Sequence, residues 1–97
     1  MSNIVKFARR FLMTEPFFMD GFEYQFVSVE PEDDWAIDIT VNVVLPKKGQ
    51  SYITDRFSYH ISTIMETLSD YYGKNIPYNE SIYVEGKPVT SKLYISP

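Results

Sequence analysis

The chain has no cysteine. Disulfides and thiolate metal sites are therefore excluded, and nothing in it needs an oxidising compartment. Histidine occurs once, at His60, which removes the usual ligand set of a transition-metal centre. The glycines are Gly21, Gly49, Gly73 and Gly86. They stand alone at turns and helix ends, so no Gly-rich phosphate loop can be assembled from them. No apolar run approaches the roughly 20 residues of a spanning helix, and no membrane contact is expected. The opening MSNIVKFARRFLMTEP does not read as a signal peptide. Its charges fall inside the apolar pattern and no small-residue cleavage site follows. An excess of positive charge is also missing: thirteen acids stand against nine bases, a net charge of −4. That balance disfavours a binder of phosphate backbones. The expected setting is cytoplasmic, soluble and reducing, or inside a larger particle.

What is abundant is aromatic: eight Tyr, seven Phe and one Trp in 97 residues. The length suits one compact α+β domain over residues 1–97. Each buried aromatic removes about 150–250 Å² from water, which lets a short chain build a core.

A helix is expected over 3–13, capped by Ser2 or Asn3. Ile4, Val5, Phe7, Ala8, Phe11 and Leu12 share one arc, with Lys6, Arg9 and Arg10 opposite. Glu15-Pro16 ends it. Phe17 to Met19 reads either as a short strand or as an apolar loop over the core. Asp20-Gly21 is a tight-turn signal. Strands follow over 22–29 and 35–45, joined by an acidic turn at 29–34. In the second, Trp35, Ile37, Ile39, Val41, Val43 and Leu45 alternate with Ala36, Asp38, Thr40 and Asn42. The expected register pairs Phe26 with Ile37, Tyr24 with Ile39 and Phe22 with Val41. Val27 and Val29 then fall on the polar face, which calls for a bulge or a local apolar cover.

A second helix is expected over 53–72 at most, with Ile53, Phe57, Ile61, Ile64, Met65, Leu68 and Tyr72 as its stripe and Gly73 as its left-handed cap. Alternatively, 50–56 forms a third strand and Ser58 caps a shorter helix. A hairpin closes the chain: Ile82 to Val84, the turn Glu85-Gly86, then 87–95. Val84 should pair with Lys87 and Ile82 with Val89. Val89, Leu93 and Ile95 should face inward; Tyr83, Thr90, Lys92 and Tyr94 outward. The order helix–strand–strand–helix–strand–strand makes a mostly antiparallel four-stranded sheet with two helices packed on one face. Phe22, Tyr24, Phe26 and the odd residues from Trp35 to Leu45 should lie beneath the Phe57–Leu68 stripe.

Chemistry is sparse. The loop Glu30-Pro-Glu-Asp-Asp34 carries carboxylates, but not at the spacing of a helix–loop–helix calcium site. It reads first as a solvated tip and second as a partner-binding one, through Glu32, Asp33 and Asp34. His60 flanks the apolar stripe with no motif around it, so it reads as a packed boundary residue. Asp38 is routine if its face is open and needs a partner if the face is covered. No catalytic, cofactor or metal residues are assigned. The outward tyrosines Tyr59, Tyr83 and Tyr94, with Tyr78 in a loop, suit a protein interface. The expectation is a non-enzymatic protein–protein interaction module. It would be a subunit of a larger assembly, such as a phage or virion particle, or a small inhibitor; its partner would be another protein or a second copy. The second expectation is single-stranded nucleic-acid binding through the sheet face and first helix, using Lys6, Arg9, Arg10, Lys47 and Lys48.

Overall fold

In the computed structural model, residues 3–94 are described, with side chains up to Val89. The order is α1 (Asn3–Leu12), β1 (Phe17–Met19), β2 (Phe22–Pro31), β3 (Ile37–Val44), α2 (Thr54–Tyr72), β4 (Tyr78–Val84) and β5 (Lys87–Tyr94). The strands form one sheet in chain order, β1 to β5. Three pairings are antiparallel. The fourth, between β3 and β4, is parallel.

The fold is thus α+β with both helices on one face, and the four-stranded, mostly antiparallel expectation needs two corrections. Phe17–Met19 is a true strand, an added edge. And α2 acts as a crossover, so β4 returns beside β3 in the same direction. A parallel pair requires such a connection, whereas a hairpin cannot make one. The returning strand is also longer than expected, starting at Tyr78 instead of Ile82.

The core lies between the helices and one sheet face. Phe22, Tyr24, Phe26 and Val29 of β2 enter it, with Ile37, Ile39, Val41 and Val43 of β3 and Tyr78, Ile82 and Val84 of β4. From above come Val5, Ala8 and Leu12 of α1 and Phe57, Ile61, Ile64, Met65 and Leu68 of α2. Tyr72 and Val89 pack partly against it. The expected seating of α2 over these side chains is what the structure has.

The β2–β3 register differs from expectation by four residues: Phe26 pairs with Val41 and Tyr24 with Val43. An even offset leaves every side chain on its expected face. A bulge between Phe26 and Ser28 then reverses the parity once. Val27 is thrown outward, 52% exposed, and Val29 becomes fully buried. Trp35 is a correction. It sits outside β3 and is 59% exposed, because the Asp33 carboxylate accepts the backbone N–H groups of Trp35 and Ala36, each at 2.9 Å. That side-chain turn takes Trp35 off the strand axis.

The two-residue turns of the β1–β2 and β4–β5 hairpins, Asp20-Gly21 and Glu85-Gly86, have both residues at positive φ, the geometry that matches strand twist. Val84 pairs with Lys87 as expected. Ile82 pairs with Thr90 instead of Val89, because the ladder is irregular after Ile82 and Tyr83 pairs with Pro88. The expected facing of Thr90, Lys92, Leu93, Tyr94 and Ile95 lies outside the described side chains. Residues 50–53 form neither strand nor helix; α2 begins at Thr54 and ends on Gly73, whose φ of 88° and N–H to the Ser69 carbonyl make the left-handed cap. Among the described residues no helix is long and apolar enough to cross a membrane.

Burial assigns opposite weights to two large aromatics. Phe57→Ala should cost about 3–5 kcal/mol in urea unfolding. Trp35→Ala should stay within about 0.5 kcal/mol of the parent.

Candidate functional site

The β1–β2 turn points the Asp20 carboxylate at α2. Its Oδ2 lies 3.0 Å from His60 Nε2 and 3.7 Å from Arg56 Nη1. The other ring nitrogen, Nδ1, is 2.5 Å from the Tyr24 hydroxyl. Tyr24 is fully buried and His60 is 2% exposed. An ionised carboxylate only accepts, so Nε2–H donates to Asp20. The neutral ring then offers Nδ1 to the Tyr24 hydroxyl, and every partner is satisfied. The ring itself packs against Phe22 and Tyr24 at centroid distances of 6.2 and 5.5 Å.

Tyr24 holds its phenolic proton well above the ordinary tyrosine range. Burial is the main cause, the Asp20 charge adds to it, and Arg56 partly opposes it. Both imidazole nitrogens are engaged and the phenol is out of reach of water. Chemically, this arrangement fastens the first half of α2 to the turn between β1 and β2. Asp20 is 64% exposed, so its longer contact with Arg56 contributes little.

Further along, Ser58 donates to Glu80 Oε2 at 2.7 Å. Glu80 is 1% exposed. It occupies an inward position of β4 between Tyr78 and Ile82. A carboxyl there demands hydrogen bonds, and the Ser58 hydroxyl, expected as a possible helix cap, supplies one. Neither the Tyr24–His60–Asp20 link nor Glu80 was found by sequence reasoning. For Glu80 a signal existed: Tyr78, Glu80, Ile82 and Val84 alternate, with an acid in the series.

Around the buried link lies a surface of unusual composition. Ile53 holds the N-cap position of α2 in extended backbone, φ −113° and ψ 120°, with no side-chain cap. It is 68% exposed, as is Tyr59, and Tyr52 is 40% exposed. Tyr52 leans on Phe57 at 5.1 Å and Tyr59 on His60 at 6.1 Å. Arg56 lies between them, 55% exposed. Ile53, expected in the core stripe, is therefore outside it. Ser, Thr, Asp or Asn would stabilise the helix start better by about 0.5–2 kcal/mol.

Of the other expected site residues, Tyr78 needs a correction: it opens β4 and is 5% exposed, rather than lying in a loop. Tyr83 is half-buried on the sheet face away from the helices. The Tyr94 side chain lies outside those described. Glu32, Asp33 and Asp34 are exposed at the β2–β3 tip. Asp33 is engaged by the turn, and Glu32 has its carboxyl held above the ordinary range by its hydrogen bond to Asp38 and that group's charge. Asp38 accepts from Asn79 Nδ2 at 2.7 Å. The same open face carries Gln25 and Asn42, joined at 3.0 Å. No group of three or more His, Cys, Asp or Glu is placed to hold a metal among the described residues.

The basic residues are dispersed. Arg9 donates from Nε to the Val29 carbonyl at 2.9 Å and from Nη2 to both Glu30 oxygens at 3.0 Å. Lys6 and Arg10 are exposed on α1, on the helix side of the sheet and so opposite Tyr83. Lys47 and Lys48 sit in the loop after β3. Lys6 and Arg10 therefore share no surface with Tyr83, which lies on the other side of the sheet.

Fold and geometry define a small α+β domain with an internally fastened helix and an exposed aromatic patch over the fastener. No family model matches the chain, nor does any curated protein or solved structure.

Tyr24→Phe leaves His60 Nδ1 without its donor and should cost about 1–3 kcal/mol. The pH dependence has a definite sign. The folded state binds the Tyr24 proton more tightly than the unfolded chain, whose tyrosines ionise near pH 10. That contribution is complete below about pH 10 and is lost as pH climbs beyond it. Chemical denaturation from neutral to strongly alkaline pH should show the loss in the parent and a flatter limb in Tyr24→Phe.

Proposed function

We propose that this protein is a non-enzymatic interaction module that binds another protein through the start of α2, with Ile53, Tyr52, Tyr59 and Arg56 as the contact group. It acts as a subunit of a larger assembly, a virion-type particle being one setting, or as an inhibitor of its partner. It works in solution in a reducing compartment or built into that particle.

One observation carries this reading. An isoleucine occupies a helix N-cap at 68% exposure, where folding alone favours a short polar residue. Positions that break a local rule without a folding benefit are where function is expected. The surroundings support it: two exposed tyrosines and an arginine are the residue types enriched among interface anchors. The support beneath them is rigid, since Tyr52 and Tyr59 stand on Phe57 and His60, so little side-chain freedom is left to lose on binding. The absence of reach to the His60 nitrogens and the Tyr24 hydroxyl favours binding over catalysis. The nucleic-acid reading is the second one; Lys6 and Arg10 stand on the helix side of the sheet, opposite Tyr83, which favours the protein-binding reading.

Ile53→Ser combined with Tyr59→Ala tests the assignment. Both side chains are exposed, so urea unfolding should change by less than about 0.5 kcal/mol each, or improve through the better cap. Affinity for a protein captured by the parent chain should fall by roughly 30-fold or more, the scale of an interface anchor. Undiminished affinity in the double variant, with Tyr83→Ala as the comparison, would remove the patch from the interface.

A further inference from the structure

α2 has two flanks. One carries Ile64, Leu68 and Tyr71 toward α1, where Tyr71 meets Phe11 at 5.6 Å and Tyr72 meets Phe7 at 5.1 Å. The other is open. Between it and the start of β4 runs a groove of about 540 Å³ with Met65, Ile76 and Tyr78 in its floor and Glu66 and Asp70 on its helical wall. Glu66 and Asp70 are four residues apart, hence neighbours on one helix face. Lys74 also lines it.

The same chain carries the complement of this groove. Lys6 and Arg10 are also four apart, exposed on α1. The half-buried Phe7 and Phe11 and the 72% exposed Tyr71 border them. Two pairs of opposite sign at identical helical spacing can run alongside each other, each flanked by apolar surface. Among the described residues none of these four takes part in an ion pair within the chain. Arg9, between the two bases, is different, being tied to Glu30.

We propose that the groove is the docking site for α1 of a second copy of this chain, with Lys6 and Arg10 of one copy against Glu66 and Asp70 of the next. The two surfaces lie on opposite flanks. α1 packs over β2, near the β1 edge, and the groove opens beside β4 in a sheet ordered β1 to β5. A copy that uses its α1 therefore keeps its groove free. Such a contact is heterologous, and repetition closes a ring or extends a filament rather than stopping at a dimer. The inference gives the assembly form of the function above a second contact surface, distinct from the Ile53 patch.

Sedimentation velocity and light scattering over a range of protein concentration test it, at low and high salt. The parent should exceed a dimer at low salt and high concentration, and shift toward the monomer as salt screens the four charges. Lys6→Glu with Arg10→Glu, and separately Glu66→Lys with Asp70→Lys, should each weaken association by about 10-fold or more, since like charges would then face each other. All four side chains are exposed, and unchanged unfolding curves would confirm that the fold persists. The decisive arm restores complementarity: the fourfold variant, and an equal mixture of the two double variants, should recover association. A parent that is monomeric at every concentration overturns the proposal. So does association that stops at two copies, or double variants that assemble like the parent. Ile53→Ser with Tyr59→Ala should assemble normally, so loss of the partner-binding reading and loss of this one are read in separate variants.

Discussion

A sheet covered by helices on one side only obeys a strict parity. Each strand beneath α2 must present alternate residues upward, and one misplaced step exchanges core for solvent along the whole strand. β3 and β4 satisfy this throughout their length, alternating buried and half-buried residues. β2 satisfies it up to Phe26 and then inserts Val27. The bulge lets Val29 join the core. Arg9 of α1 is bonded to the Val29 carbonyl and the Glu30 carboxylate. Arg9 thus holds the stretch of β2 just after the extra residue.

Parity places α2 above the sheet but does not fix its position along its own axis. Leu, Ile and Phe side chains tolerate a range of neighbours, whereas a buried polar group is specific about its partner, because a slip leaves it desolvated and unsatisfied. Two polar links are spaced along the first half of α2. Ser58 reaches Glu80 on β4, and His60 reaches Tyr24 on β2 and Asp20 in the turn before it. They lie two residues apart on the helix, directed to opposite sides of β3. Together they hold the helix against rotation and against sliding. The second half of α2 has Leu68 in the core and the Ser69 hydroxyl accepting the Ile76 N–H at 3.0 Å, which ties down the exit into β4.

This separation explains what the sequence reveals. Alternation and the 3.6-residue stripe are periodic signals, and they locate α1, β2, β3, α2 and the last turn with their buried faces. The register of β2 against β3 is a matter of where the turn falls: alternation places it at 29–34, whereas β2 continues to Pro31 and the turn lies at 32–36, closed by the Asp33 carboxylate. Alternation alone would carry Trp35 into the core, but the Asp33 turn takes it off the strand. The parallel β3–β4 pair was hidden because Asn79, Glu80 and Ser81 obscure the first half of β4. Helical spacing puts His60 at the edge of the stripe, but it is buried, and its partners are 36 and 40 residues away in sequence. No local pattern encodes such a contact. The outward tyrosines divide for the same reason: Tyr59 follows from helical periodicity, while Tyr78 opens a strand whose alternation is masked by the acid at Glu80.

Fixing α2 has a consequence for everything mounted on it. The helix presents the Ile53–Tyr59 surface at its start, the acidic wall of the groove farther along, and the Tyr71 contact with α1 at its end. A side chain on a helix that could rotate by even a fraction of a turn would present a blurred surface, and binding would carry the entropy of stopping that motion. Here the polar links absorb that requirement during folding. They also explain why the chain tolerates a poor N-cap. The usual capping side chain secures a fraying first turn, but the first turn of α2 is held from below by Phe57 against Phe22 and Tyr24, at 5.4 and 6.3 Å. With the helix start secured by packing, position 53 is released from capping and is free to carry an exposed apolar side chain.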